Sequence, residues 1–186
     1  MKKNGLLISG ILMVLCSLGI FLYMQIQQNR ADEQTQVYLQ QMQKSMPEVK
    51  DAFIDERNNK DMPVLEVAGN DFVGILEVPL YEVSFPIGSR WQEGELIDYP
   101  CRFWGSVYDG SMIIGGSERK GQMAFMKDIS IGDEVFVTDM TGARYLYTVS
   151  WIEKTKDVSI EYLENDGLTI FARNPYGFDY TVVRCR

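Results

Sequence analysis

The sequence predicts an all-β domain that follows helical N-terminal segments, and three observations support this architecture. From residue 72 onward, short apolar and β-branched runs recur at close spacing between Gly-, Pro-, Asn- and Asp-rich turns, which is typical of β-barrels and sandwiches. Before residue 60, apolar residues instead recur every three to four positions, the period of an amphipathic helix. An uncharged run over residues 5–24 precedes both regions.

The run over residues 5–24 is long enough to cross a lipid bilayer. As a helix it would extend about 30 Å at ~1.5 Å per residue, which matches the hydrocarbon thickness. A cleaved signal peptide is the competing interpretation, but no A-x-A-like site follows the run, which favours an uncleaved anchor. Lys2 and Lys3 bias the N-terminus toward the cytoplasm, although Arg30 weakens the asymmetry. We therefore predict a single-pass membrane protein, with residues 1–26 as the anchor and its C-terminal domain extracellular.

Residues 27–70 are predicted to form a helical stalk and a linker. The stalk, residues 25–60, is rich in Gln, Glu, Asp and Lys, and Pro47 predicts a break and a restart of the helix. The linker is predicted over residues 58–70, which contain Asn, Lys, Asp, Pro and Gly. The apolar residues of the stalk recur at a helical spacing and form a stripe along one face. This stripe can pack on the domain's own surface, which we favour, or it can pair with a partner helix. This apolar stripe consists of Tyr38, Met42, Met46, Val49 and Phe53.

Residues 71–186 contain the predicted strands, and a tight turn around Gly142 separates two of them. No internal repeat, P-loop, GxSxG, HExxH or CxxC motif is present in the sequence. The predicted strands cover residues 72–78, 81–87, 99–108, 112–114, 134–138, 145–153, 168–172 and 180–185.

Three stretches of this β region resemble the motifs of a known family. They are GSMIIGGS at residues 110–117, IGDEVFVTDMTG at 131–142, and LTIFARNPYG at 168–177 with TVVRC at 181–185. Their order resembles that of the sortases of Gram-positive bacteria, particularly classes B and D, over roughly residues 72–186. The resemblance implies an eight-stranded β-barrel, a cysteine transpeptidase activity that attaches surface proteins to the cell wall, and a sorting-signal peptide as partner.

The resemblance also locates the three positions that carry catalysis in sortases, and all three are substituted here. The nucleophilic cysteine position is Arg173, the histidine position is Ser117, and the arginine position is Tyr180. In addition, the chain contains no histidine. Sortase chemistry needs a thiolate that attacks a carbonyl and an imidazole that protonates the leaving amine, so this chain alone cannot form the pair. We predict a catalytically inactive module that binds a peptide or a protein at the cell surface.

Arg173 has two interpretations at this position. It can point to the surface and pair with Asp179 or Glu118, or it can make the groove floor an anion site suited to a peptide carboxylate. Tyr180 supplies a hydroxyl and an aromatic face where the family has a cation. The peptide groove is therefore predicted at Ser117, Arg173 and Tyr180.

Two other functional hypotheses remain open. An active transpeptidase would need another nucleophile: Cys101 or Cys185 would require a different base and pocket, and nothing in the sequence positions Lys120 as a base for Ser117. A structural protein that assembles through the stripe of its stalk is the hypothesis from a different class.

Composition limits the partners further. The net charge of −8 repels phosphate backbones, so we predict no nucleic-acid partner. Cys101 and Cys185 can pair as a disulfide if the domain is extracellular, or they can be two small apolar side chains in the core. Some sortases use calcium, but no clear ligand cluster for it is recognisable here, so no metal and no cofactor are predicted.

Overall fold

The computed structural model describes residues 2–53, 61–91 and 98–186, and in the first helix it describes the side chains of residues 9–23, 26 and 33–45. Two short 3-10 turns, Pro79–Tyr81 and Ala124–Lys127, lie between strands. The remaining elements are α1 (Lys2–Ser45), β1 (Lys50–Ala52), β2 (Leu65–Val67), β3 (Asn70–Val78), β4 (Val83–Gly88), β5 (Cys101–Trp104), β6 (Ser111–Ser117), β7 (Glu134–Asp139), β8 (Ala143–Thr155), α2 (Ile160–Leu163), β9 (Gly167–Arg173) and β10 (Tyr180–Cys185).

Eight strands close into a barrel. The ring runs β3, β7, β8, β10, β9, β6, β5, β4 and back to β3, with parallel pairing at β6–β9 and β4–β5 and antiparallel pairing elsewhere. β1 adds to β8 in parallel, and β2 adds to β3 in an antiparallel direction. Closure removes the exposed edges that an open sheet would carry. The predicted eight-stranded barrel is confirmed, with two additional short strands at its margin.

Side-chain alternation places apolar clusters on both faces of the sheet. In β9, Leu168, Ile170 and Ala172 belong to the barrel core, whereas Phe171 belongs to an outer cluster. In that outer cluster, which we call the aromatic layer, three rings surround Phe171 at centroid distances of 5.2, 5.6 and 6.0 Å; they are Phe103, Trp91 and Tyr180. Residues of β9 that alternate with the core, including Arg173, therefore project on the side of the aromatic layer.

The last turns of α1 pack on the barrel. Leu39 and Met42 are buried in a cluster with Phe72, and Tyr38 packs its ring 5.3 Å from that of Phe72. Met46 is partly buried against the same cluster. Over this part of its length, the predicted stripe packs on the domain's own surface, which is the interpretation favoured above.

The predicted restart of the helix after Pro47 is wrong. α1 ends at Ser45, and residues 50–52 form β1, which pairs with residues 143–145 of β8. Pro47 cannot donate an intrahelical hydrogen bond, and the adjacent strand offers the following residues a ladder of bonds instead. Val49 and Phe53 consequently lie outside the helix, and both are exposed.

The predicted linker is ordered in its second half. Residues 58–60 lie outside the described residues, but Met62 is buried in the barrel core and residues 65–67 form β2. A three-residue strand is too short for its alternation to be recognised in a sequence.

α1 also extends over the predicted membrane anchor. In residues 2–53, 61–91 and 98–186, no helix was found with both the length and the apolar character needed to cross a bilayer. The side chains of Lys2, Lys3 and Arg30, on which the predicted orientation depends, lie outside the described residues.

Candidate functional site

Three adjacent strands bring Ser117, Arg173 and Tyr180 into one row. Ser117 at the end of β6 pairs with Arg173 at the end of β9, and Arg173 pairs with Tyr180 at the start of β10. Neighbouring strands lie about 4.8 Å apart, so the row spans roughly 10 Å. Residues that pair directly across strands share a face, here the face of the aromatic layer. We call this row the site rung; it contains all three positions that the sequence predicted for a groove.

The loop between β9 and β10 is held by its own hydrogen bonds. The Asn174 N–H donates to the Asp179 carbonyl at 3.0 Å, its Nδ2 donates to Asp179 Oδ1 at 3.1 Å, and its Oδ1 accepts the Tyr176 N–H at 3.0 Å. A Cβ at Gly177 would lie 2.4 Å from Asp179 Oδ1, so a larger residue here would displace the Asp179 side chain from its bond with Asn174. The rings of Tyr176 and Phe178 project from this fixed loop, 89% and 86% exposed, beside the site rung.

Arg173 is an exposed cation at the centre of the site rung. Within the described residues, no carboxylate forms an ion pair with it, and the predicted pairing with Asp179 or Glu118 does not occur. Asp179 instead accepts from Asn174, and Glu118 contacts Arg173 only through its backbone N–H, which donates to the Arg173 carbonyl at 3.0 Å. The guanidinium can therefore use its donors on an external anion.

Ser117 is fixed by bonds that do not activate it. Its N–H donates to Gln122 Oε1 at 2.8 Å, and its carbonyl accepts the Met123 N–H at 3.0 Å. Lys120 is exposed on the same turn, and in the part of the chain that the structure describes it makes no hydrogen bond with Ser117. A serine nucleophile needs an adjacent base within hydrogen-bond reach, so this arrangement does not supply one.

Cys101 and Cys185 are buried, free thiols in the structure, which corresponds to the second of the two interpretations, two small side chains in the core, and not to a disulfide. β5 and β10 are separated in the sheet by β6 and β9, about 14 Å in strand spacings, whereas a disulfide needs Cα atoms within ~7 Å. Burial raises the pKa of each thiol to about 12. Both are therefore protonated at neutral pH, and neither can act as a thiolate nucleophile.

Sequence reasoning missed how the protein covers the face below the site rung. A Cβ on Gly115 would lie 2.7 Å from the Trp91 ring and 2.5 Å from that of Phe171, so the two rings pack directly on the backbone of β6. The available signal was the pair of aromatic residues Trp91 and Phe103 in the segment before β6. A ligand at the site rung would meet Arg173 at the strand ends, because the protein's own rings occupy the face beneath.

Across the described ranges, no group of three or more His, Cys, Asp and Glu side chains is arranged to hold a metal ion.

No protein-family model matches the sequence, and no curated protein matches it by sequence. Solved structures of sortases are nevertheless similar to its fold. A lid mutant of Streptococcus agalactiae sortase C1 matches with a TM-score of 0.53 and 16% identity over 87% of this chain and 88% of the other. The Clostridium perfringens sortase D5 transpeptidase matches with a TM-score of 0.52 and 19% identity over 63% and 79%.

A third structure, Clostridium perfringens sortase C with the C-terminal cell wall sorting motif, matches with a TM-score of 0.51 and 18% identity over 62% and 70%. At these identities the similarity concerns the fold alone. The resemblance predicted from the motifs is thus confirmed at that level: the chain has a sortase-like β-barrel fold.

Proposed function

We propose that this chain is a non-catalytic protein of sortase-like fold that binds the carboxylate of a peptide at the cell surface. The observation that carries the proposal is the site rung, in which Arg173 lies between Ser117 and Tyr180 on three neighbouring strands. An exposed guanidinium between two hydroxyl-bearing residues offers several donors to an anion. The same row contains neither a thiol nor an imidazole.

The chemistry of the whole chain supports a binding role over acyl transfer. No histidine is present to act as general acid or base. Two of the three cysteines are buried thiols with raised pKa values, and the third, Cys16, lies in the predicted anchor. Nucleophile and base act as a unit in such enzymes, so losing both removes orders of magnitude of rate.

The surroundings of the site rung suit a peptide ligand. Guanidinium and carboxylate groups pair through two parallel hydrogen bonds, which fixes the orientation of the ligand. The exposed rings of Tyr176 and Phe178 lie on the loop that joins Arg173 to Tyr180, and they can offer apolar contacts to neighbouring ligand residues. A solved sortase C carries a cell wall sorting motif, which makes a sorting-type peptide a reasonable first ligand to test.

Attachment to the membrane through residues 1–26 is part of this proposal. Its support is the uncharged run over residues 5–24, which follows Lys2 and Lys3. Large apolar side chains on this part of α1, including Leu12 and Phe21, are more than half exposed. A lipid environment would cover them, with the N-terminus in the cytoplasm and the barrel outside the cell.

Binding of matched peptides to the full-length chain in detergent tests the proposal. A fluorescent sorting-type peptide with a free C-terminal carboxylate should bind more tightly than its C-terminal amide. Arg173→Ala should weaken binding of the carboxylate peptide roughly tenfold and abolish the preference, because a charge-assisted hydrogen bond is lost. Arg173→Lys should retain part of the preference. Arg186→Ala, which changes an exposed arginine just after the far end of β10, should leave the preference unchanged.

Two results would contradict the proposal. One is equal affinity for the carboxylate and amide peptides in the wild-type chain. The other is turnover of a fluorogenic sorting peptide, or an acyl adduct on the wild-type chain in mass spectrometry, since either requires a nucleophile that the site rung lacks.

A further inference from the structure

A second region with the features of a binding site lies at β5, and its lining includes no residue of the site rung. Arg102 pairs with Ile114 and Trp104 pairs with Ile113, so Phe103 is an extra residue between two paired positions. Side chains of a regular strand alternate between faces, but a bulge re-aims them. Here Arg102, Phe103 and Trp104 all line the same cleft, which regular pairing would prevent.

The cleft has the size and the aromatic walls of a ligand site. Its volume is about 510 Å³, within the usual range for small-molecule pockets. Trp104 is 50% exposed on one wall. Trp91 forms part of another wall, and its ring is held 5.9 Å from that of Phe103 and 5.6 Å from that of Phe171. Both indole rings are therefore available to the cleft, and Trp91 is fixed in orientation.

Hydrogen bonds within the protein position the polar walls. Arg102 Nε donates to the Ser89 carbonyl at 3.1 Å, and the Arg102 carbonyl accepts the backbone N–H of Trp91 at 2.9 Å. Asp109 Oδ1 accepts from the N–H and the hydroxyl of Ser111, at 3.0 and 2.6 Å. These bonds tie β5 to the segment after β4 and hold the turn before β6.

Among the described residues that line the cleft, the positive and negative charges balance. Arg90 and Arg102 are cationic, and Asp61 and Asp109 are anionic. A lining with two charges of each sign selects neither anions nor cations, but it offers planar groups that donate or accept two hydrogen bonds at once. A matching ligand is neutral, carries adjacent hydroxyl groups, and has a flat apolar face for the indole rings.

We propose that this cleft binds a neutral carbohydrate. The C–H face of a sugar ring would stack on Trp104 and Trp91, and its neighbouring hydroxyls would bond to the guanidinium and carboxylate groups. The inference does not depend on the proposed peptide site, because the two sites share no residue.

Titration of the full-length chain with soluble oligosaccharides tests this proposal. The probes are cellotetraose and the β-1,4-linked tetramer of N-acetylglucosamine, followed by calorimetry and tryptophan fluorescence in a detergent without a sugar head group. We expect saturable binding of at least one probe. Trp104→Ala should weaken that binding roughly tenfold, in line with the loss of an aromatic contact.

The matched control is Trp151→Ala. Trp151 is 57% exposed, similar to Trp104, but it lies on β8 and lines a different cavity. Affinity should remain that of the wild-type chain in this variant. Asp61→Asn, at an exposed position, should also weaken binding while leaving the unfolding transition in place, which separates a polar contact from a folding defect.

The proposal is overturned if neither oligosaccharide binds at millimolar concentration, or if Trp104→Ala and Trp151→Ala weaken binding equally. It is also overturned if a neutral peptide binds and loses affinity in the Trp104→Ala variant while the sugars do not bind. That result would assign the cleft to peptides.

Discussion

Replacing Met42 with alanine tests whether α1 belongs to the folded domain or is an independent stalk. Met42 is fully buried and packs in a cluster with Leu39, Val67, Phe72 and Ile75. Its side chain therefore connects the helix to β2 and β3. The substitution therefore leaves a cavity between the helix and the barrel.

The expected loss of stability follows from the burial. Met→Ala changes in cores cost about 2–5 kcal/mol, which combines the lost transfer energy with the cavity term. Alanine is slightly the better helix former, which offsets a few tenths of a kcal/mol. We expect the free energy of unfolding to fall by about 3 kcal/mol. For a chain of this size, that corresponds to a lowering of Tm by roughly 6–12 °C.

Urea unfolding of the full-length chain, followed by tryptophan fluorescence, measures the difference. Val37→Ala is the control, because Val37 is 49% exposed on the same helix. Its effect should stay within about 0.5 kcal/mol of the wild-type value. Equal stabilities of the Met42→Ala and Val37→Ala variants would refute the packing of α1 on the barrel and restore the interpretation of a free stalk.

Three further predictions concern the thiols, a tyrosine and the site rung. A thiol reagent should leave Cys101 and Cys185 unmodified in the native chain at pH 8 and modify both after denaturation, because burial raises the pKa of each thiol to about 12; rapid modification of either in the native chain would contradict this. Burial also raises the pKa of Tyr147, whose hydroxyl has no hydrogen-bond partner in the described part of the chain. The folded state therefore favours the neutral phenol, and its contribution to stability is present below pH ~10 and lost as the unfolded tyrosine ionises above it. Tyr147→Phe should raise the unfolding free energy by ~1 kcal/mol at neutral pH and reduce the alkaline decline, as measured by urea unfolding at pH 7 and 10.5; a less stable variant would show that the hydroxyl is satisfied. Finally, the triple variant Ser117→His/Arg173→Cys/Tyr180→Arg places the residue types of the sortase family at the three positions of the site rung. It should cleave a fluorogenic sorting peptide measurably, since the three residues would lie one strand spacing apart. An inert variant would indicate that the peptide site has also changed.

The strands that could be predicted from the sequence are those that form continuous apolar and β-branched runs between turn residues. β9 and β10 are examples: β9 is buried on both faces, by the barrel core and by the aromatic layer, so its run is almost uninterrupted. The stripe on α1 was predictable from its period, as Tyr38 and Met42 recur at the helical spacing. β1 and β2 were missed, because three residues contain too little alternation. The residues after Pro47 continue the helical spacing of apolar residues in the sequence, but in the structure they form β1 and pair with the neighbouring strand β8.

The candidate site also combines features that follow from the sequence with features that only the tertiary structure decides. The absence of histidine and the identities of Ser117, Arg173 and Tyr180 follow from the sequence alone, and they already exclude a Cys/His pair built from this chain. That the three side chains form one row depends on the parallel register of β6 and β9, which are far apart in the chain. The bulge at Phe103 likewise depends on the partner strand. Residue types determine which chemistry is available, because side-chain groups are covalent properties of the chain, whereas strand pairing between distant segments decides which of those groups meet.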